Sequence, residues 1–491
     1  MFTSLKRAWA VALLVPVLLS CASYNKMMGT YYTQLQQHDY DKAQKTIEHN
    51  KIIKRNRNAL LYNIELGNLY RLKNDYANSN RYFNRADAMY ENNQKSLADV
   101  AVANLLNPMQ QSYRGEDYEP YLLHFYKALN YFALNQPEEA LVEARRISLT
   151  NNAQNNKYNN KDKRYVNDAF ALNVQGMIYE AAGDINNAFI AYRNAADVYL
   201  NAANEYYGVT LPTQLQQDVL RTANLMGFNE QVDKYGKSFT AQTTLTDTNN
   251  IGELVLFIEE GIAPIKEEQD FILTATNDGL GSFNYVNGYG INSNFNFNYS
   301  NYGISETKLS SLRVFRLALP NYVVQYQQPQ NISVGVNNVS YQPQLAQNIN
   351  ALAVNILKER FLNEMANALA RQLTKKVVEK GTQLAAESIA KAADKKEDNK
   401  NADEAEKAKR QKEKEEKAKQ VGQVAGLVMN LINTASEKAD TRNWQSLPAF
   451  ISYVRVPLQA GENNISIQHN GQTIPLKVVG KKGLQLQSIR L

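Results

Sequence analysis

The chain has 491 residues, 44% of them hydrophobic and 21% charged, with 54 basic against 48 acidic side chains and a single cysteine. That length exceeds one ordinary core and sets an expectation of two or three domains. A net charge of +6 with no one-sided basic patch excludes a nucleic-acid binder, and one Cys excludes disulfides and cysteine-based metal sites.

At the N-terminus, Lys6 and Arg7 precede an apolar run from Ala8 to Leu19. Spanning a bilayer takes about 20 apolar residues, so the run reads as a cleavable signal peptide covering residues 1–20. Leu18-Leu19-Ser20-Cys21 resembles a lipobox, with an aliphatic residue three before the Cys and a small one just before it. The resemblance implies that Cys21 is the first mature residue and carries several acyl chains, enough for stable anchoring. A plain secretory signal with a chance Cys is the alternative. Ala22 in place of Asp favours the outer membrane, by a sorting rule of one bacterial group, with the mature chain facing the periplasm.

Residues 21–245 have helical periodicity, and they repeat. Gly67, Tyr70, Ser79, Phe83 and Ala86 stand at offsets 0, 3, 12, 16 and 19, as do Gly176, Tyr179, Ala188, Tyr192 and Ala195. Ala128, Tyr131, Ala140 and Ala144 match the first four offsets, and Asp39-Tyr40 with Ala43 resembles the second half of a worn copy. The pattern resembles the tetratricopeptide repeat (TPR), a pair of antiparallel helices of about 34 residues. A small residue in the first helix admits the second closely, and the ring at offset 16 fills the gap between them. Such units bury their faces only by stacking. A generic helical bundle with coincident Ala and Tyr is the alternative.

Residues 246–350 change period. Glu253–Glu259 reads as a buried strand and Phe271–Ala275 as a second. The Asn/Tyr/Gly-rich stretch 277–302 reads as a long loop or hairpin. Leu312–Leu319, ended by Pro320, and Ile332–Tyr341 resume strand character. Residues 351–438 read as a helical hairpin. Its first arm carries an apolar stripe of Leu362, Met365, Leu369, Leu373 and Val377, its tip is the charged run 395–419, and its second arm is Val421–Ile432. Residues 439–491 read as a C-terminal β meander with strands Ile451–Leu458, Asn464–His469, Thr473–Val479 and Leu484–Arg490. The expected fold class is therefore α+β multidomain: an N-terminal TPR-like helical array, then a β domain interrupted by a long helical hairpin.

Chemistry is sparse. His38, His49, His124 and His469 lie outside metal-ligand spacing of one another, so neither a metal nor a cofactor is expected. The pairs Glu259-Glu260 and Glu267-Glu268 are the candidates for acid/base work on a glycan, but adjacent carboxylates point different ways. No catalytic residues are assigned. Asp440-Thr441-Arg442, Trp444 and Pro448 stand where the hairpin meets the meander. There Asp440 pairing with Arg442 and Trp444 packing between elements would form a junction clamp, the alternative being a ligand pocket.

The residues now assembled resemble a family of bacterial TPR-containing lipoproteins. The likeness runs from Cys21 through the repeats at Gly67 and Gly176, Glu260-Gly261 with Ala263-Pro264 and Lys266, Ala318-Leu319-Pro320 with Tyr322, and Leu357-Lys358-Glu359-Arg360. It is most specific at Ala439-Asp440-Thr441-Arg442 with Trp444 and Leu447-Pro448, followed by Arg455-Val456-Pro457-Leu458 and Gly461. The stretches 277–302 and 395–419 look like insertions into that pattern. The resemblance implies a lipid-anchored envelope protein without a catalytic role, a companion of the lipoproteins that activate peptidoglycan synthases. The expected function is a scaffold binding envelope proteins through its TPR-like domain. The alternatives are a structural or secretion component of the outer membrane and, further off, a glycan-active enzyme.

Overall fold

The computed structural model describes residues 24–95, 108–158, 165–241, 251–275, 282–286, 292–296, 314–394 and 438–491. Its N-terminal part is helical: α1 (Tyr24–Gln36), α2 (Tyr40–His49), α3 (Ala59–Leu72), α4 (Tyr76–Lys95), α5 (Glu119–Ala133), α6 (Pro137–Tyr158), α7 (Ala169–Ala181), α8 (Ile185–Asn201), α9 (Thr213–Leu225) and α10 (Asn229–Ser238). They form five helix pairs, each joined by three residues.

All five joints have one geometry. The middle residue, His38, Asn74, Asn135, Gly183 or Gly227, has a positive φ between 56° and 84°. The third donates its N–H across the joint, Asp39 to Gln34, Asp75 to Tyr70, Gln136 to Tyr131, Asp184 to Tyr179 and Phe228 to Ala223, at 2.8–2.9 Å. This is the left-handed helix stop that satisfies the last carbonyls of the first helix. Asp39, Asp75 and Asp184 then accept the backbone N–H three residues on, capping the second helix. The worn copy at Asp39 is thus a full pair, and α9–α10 is a fifth that the spacing of rings and small residues did not reveal.

The β part comprises a short hairpin, β1 (Glu205–Tyr206) with β2 (Val209–Thr210), and three four-stranded sheets. Their strands are β3 (Gly252–Glu260), β4 (Ile265–Ala275), β5 (Ser282–Val286), β6 (Asn292–Asn296), β7 (Val314–Val323), β8 (Ile332–Val336), β9 (Val339–Tyr341), β10 (Gln344–Asn348), β11 (Phe450–Leu458), β12 (Gly461–His469), β13 (Gln472–Gly480) and β14 (Gly483–Arg490). The central sheet has the order β10-β11-β3-β14, the outer sheet β13-β12-β8-β9 and the arm sheet β6-β5-β4-β7.

This topology corrects the C-terminal meander. The four strands lie where the pattern put them, but only β12 and β13 pair as neighbours. β11 pairs antiparallel with β3, and β14 crosses to the other side of β3 and runs parallel to it. Alternation fixes a strand and its two faces, not its partner. The segments flanking the long helix share one sheet, in line with a single β domain interrupted by that helix. Pro320 does not end its strand: it lies inside β7, opposite Glu268, and β7 is an edge strand, where a residue without an N–H is tolerated. Within 277–302, β5 and β6 pair as a hairpin.

Three layers result. Leu254, Leu256, Ile258, Val454 and Val456 face Val334, Val336, Ile465 and Ile467 of the outer sheet. The opposite face of the central sheet, with Val255, Phe257, Tyr453, Leu484 and Leu486, shares one core with the helices. Helix α11 (Ile349–Asp394) links two cores. Leu352, Ile356 and Leu357 belong to the main one, while Met365, Leu369 and Leu373 pack on Phe271, Leu273, Leu317 and Leu319 of the arm sheet. Leu362, placed on the apolar stripe by its spacing, is exposed, and Phe361 takes its place against the arm. The side chain of Val377, the charged run 395–419 and the second arm 421–432 lie outside the described residues.

Candidate functional site

The repeat residues pack alike in the two best-matched pairs. A Cβ on Gly67 would lie only 2.4 Å from the ring of Phe83, and one on Gly176 only 2.4 Å from the ring of Tyr192, each sixteen residues on. Ala128 and Ala144, the small pair of the third copy, are buried, as are Ala86, Ala140, Ala188 and Ala195. Tyr70, Tyr131 and Tyr179 are only partly buried, and each contributes a carbonyl to its joint.

The junction residues 438–448 meet the helical array and β4, with bonds to Asn58, Glu65, Asn68, Glu119 and Glu268. Arg442 is fully buried. Its Nη2 and Nε donate to the two Asp440 oxygens at 2.7 and 2.8 Å, Nη1 donates to Asn58 Oδ1 at 2.8 Å, and Nη2 also reaches the Pro108 carbonyl at 3.1 Å. The Asp440–Arg442 pairing therefore forms as expected, but it staples the segment to the start of α3 and the approach to α5. Trp444 is also fully buried, edge-on to Phe83 and Tyr126. Thr441 is buried, and Pro448 sits in the buried run that leads into β11.

Two buried carboxyls hold this segment's backbone. Glu119 accepts from Trp444 N at 2.8 Å and from the Tyr113 and Tyr90 hydroxyls at 2.6 and 2.9 Å. Glu65 accepts from Tyr32 Oη at 3.0 Å, Tyr31 Oη at 3.2 Å and Ser446 N at 3.5 Å. Burial pushes both up to about 7, against the hydrogen bonds they accept. In Glu119 the charge of Glu116 adds to the rise.

From the junction a polar chain leads outward. Trp444 Nε1 donates to Ser446 Oγ, Asn68 Nδ2 donates to Ser446, and Arg71 Nε donates to Asn68 Oδ1, each at about 3 Å. Arg71 then grips Glu259 with both terminal nitrogens, at 2.9 and 2.8 Å, and stacks over the Tyr126 ring. Burial opposes the Arg71 charge, but Glu259 outweighs it and raises the guanidinium pKa. Arg490 approaches the same carboxylate at 3.4 Å and donates to the Gly261 carbonyl. Further along, Arg455 of β11 pairs with Glu180 of α7 and Asp218 of α9, at 2.7 and 2.9 Å. The first helices of the pairs thus turn their polar side chains onto the central sheet.

Two clefts flank Arg490 and share it with Leu72. One, of about 220 Å³, opens between Gln36, Tyr326, Glu260 and His469. The other, of about 300 Å³, runs along β14 from Leu486 to Arg490, beneath Tyr40, Asn74 and Tyr76 of the helical joints.

Spacing missed several of these groups. Glu259 and Glu260 are both buried and lie on opposite faces of β3, as adjacent strand residues must: Glu259 meets Arg71, and Glu260 accepts from Gln330 N at 2.9 Å. That geometry does not form an acid/base pair. Glu267 and Glu268 are exposed. His124 is buried and lies with Asp87 and Glu143 at metal-ligand separation, an assembly from three helices that sequence distance hides. Lys127 Nζ already bonds both carboxylates there, at 2.7 and 2.9 Å, so the cluster is a filled ion-pair network. Arg71 and Glu65 carried no motif signal, whereas Arg455 stood in a quoted motif without an assigned partner. Cys21 lies outside the described residues. Among them no helix is long and apolar enough to cross a membrane.

No protein-family model matches the chain, and no curated protein matches it either.

Proposed function

We propose that the chain is a lipid-anchored scaffold of the cell envelope, held at the outer membrane through Cys21, facing the periplasm and binding protein partners, with cell-wall assembly as its setting. The observation that carries this reading is the construction of the helical array. Five pairs share one joint, and in two of them a glycine admits the ring sixteen residues on, as TPR-like stacking requires. We read the array as TPR-like and without a catalytic role.

The row of first helices, which in repeat arrays lines the partner groove, is filled here by the protein's own central sheet. Partner binding through that row is therefore dropped from the proposal. The partners belong on the outer surfaces and on the clefts beside β14.

Crosslinking in intact cells, with pull-down and mass spectrometry of the tagged chain, tests the reading. Recovery of peptidoglycan synthases or a synthase-activating lipoprotein supports it. Recovery of the chain alone, or of secretion components, overturns it in favour of a structural role. Metabolic labelling with a clickable fatty acid tests the anchor: the wild type takes label and Cys21→Ser does not, and an unlabelled wild type removes the lipid from the proposal.

A further inference from the structure

The sheet edges are unequally guarded. An exposed edge is a template for another strand, and proteins blunt it with proline, lysine or short length. β7 carries Pro320, and β13 carries Pro475 and Lys477. The remaining edges, β6, β9 and β10, have three to five residues each. β14 is the exception. It is an edge strand of eight residues, Gly483–Arg490, with no proline, no lysine and one charge, and among the described residues nothing pairs with its outer side.

That unguarded edge lines the cleft of about 300 Å³. The side chains facing the helices alternate along it: Leu484 and Leu486 enter the main core, Ser488 meets Arg71, and Arg490 meets Glu259. At this end two guanidinium groups share one carboxylate, so that among the described side chains one positive charge has no ion-pair partner of its own. The charged groups felt by the neighbouring Tyr40 and Tyr126 are these same three, Arg71, Arg490 and Glu259. Asn130, fully buried, also lines the cleft. Its amide nitrogen is fixed on Ser79 Oγ and Asn80 Oδ1, both at 2.8 Å, and its oxygen Oδ1 has no donor.

We infer that the edge of β14 takes an extended peptide segment of a partner protein, which adds as a strand and places a carboxylate side chain against Arg71 and Arg490. Main-chain hydrogen bonds to the edge supply affinity, and the charge fixes the register. The inference rests on the scaffold reading and deepens it by naming the partner's chemistry and where it docks.

The test selects a displayed library of random peptides on the full mature chain carrying Cys21→Ser, then measures binding of the winning peptide by fluorescence anisotropy. Winners with an Asp or Glu in an alternating, strand-like pattern are expected. Changing that carboxylate to its amide weakens binding on the order of tenfold, the scale of one charge-assisted hydrogen bond. N-methylation at alternate peptide residues abolishes binding, and Arg490→Gln matches the loss seen with the amide peptide. The peptide changes leave the protein intact, so a poorly folded variant does not blunt the test. Failure to select any peptide, or a winner whose affinity survives both peptide changes, overturns the inference. Repeating the in-cell pull-down with Arg490→Gln separates the two readings. If the wild type recovers no partner, the scaffold fails. If wild type and variant recover the same partners equally, the groove fails while the scaffold stands.

Discussion

At the scale of single residues, the two glycines at offset 0 are where shape matters most. Since a methyl group on Gly67 would lie only 2.4 Å from the Phe83 ring, Gly67→Ala forces that ring to shift against its neighbours. The expected cost is about 1–3 kcal/mol, read as a lowered denaturation midpoint, with partial recovery when Phe83→Leu is added. An unchanged midpoint would show that the pair does not pack as described. Trp444 tests the clamp in the same way. Its ring is fully buried against Phe83 and Tyr126, so Trp444→Ala should cost about 3–5 kcal/mol in thermal unfolding. A variant that loses partner binding at an unchanged midpoint would make the junction a ligand pocket instead. The glycines and rings of the repeats were legible because small and aromatic side chains at fixed offsets leave a trace along one chain, whereas Trp444 was singled out only by the motif around Asp440 and Arg442. Arg71, Glu65 and Glu119 left no such trace, and Glu259 stood out only beside Glu260 and not for Arg71, because their partners stand up to several hundred residues away and no local rule links them.

Among elements, periodicity gave helices and strands and erred on pairing. The strand positions 451–458 and 484–490 were readable from alternation, yet the parallel passage of β14 beside β3 was not, since nothing in a strand's own pattern names its neighbour. The arm formed by β4, β7 and α11 shows how such elements are held. Glu116, buried in the segment before α5, bonds both Lys266 of β4 and Arg360 of α11. Burial works against its charge, but Arg360 and Lys266 prevail and hold it down at about 2. Removing one member of such a cluster leaves the others buried without compensation, typically at about 3–5 kcal/mol. Glu116→Ala should therefore speed hydrogen exchange in β4 and the first half of α11 more than in α7 and α8, which do not touch the cluster. Uniform acceleration across all helices would mean that the arm is not a separate cooperative unit.

Taken whole, the molecule encloses acids of opposite habit, and their balance sets how its stability responds to pH. Glu65 and Glu119 have folded values raised to about 7 by burial, from an ordinary 4.5. Between those values the folded chain holds protons that the unfolded chain has released, so stability falls as pH rises from about 4.5 to about 7. Burial raises Asp168, Asp218 and Glu260 in the same direction. Glu116 and Glu180 are pulled down to about 2 despite burial, Glu116 by Arg360 and Lys266 and Glu180 by Arg455 and Arg221. They contribute stability that is present above their unfolded value and is lost as pH falls from about 4.5 towards about 2. The two sets meet near pH 5, where the thermal midpoint should be highest, with a decline on either side. Joint replacement Glu65→Gln and Glu119→Gln removes the proton uptake on the alkaline side while keeping an oxygen acceptor for Ser446 N and Trp444 N. It should shrink the drop in midpoint between pH 5 and pH 8 and leave the acid limb, which Glu116 and Glu180 set, in place. A wild-type midpoint that stays level from pH 5 to pH 8 would mean that both carboxyls ionise freely. The seam of backbone they hold at residues 444–446 would then have to open to water in the native state.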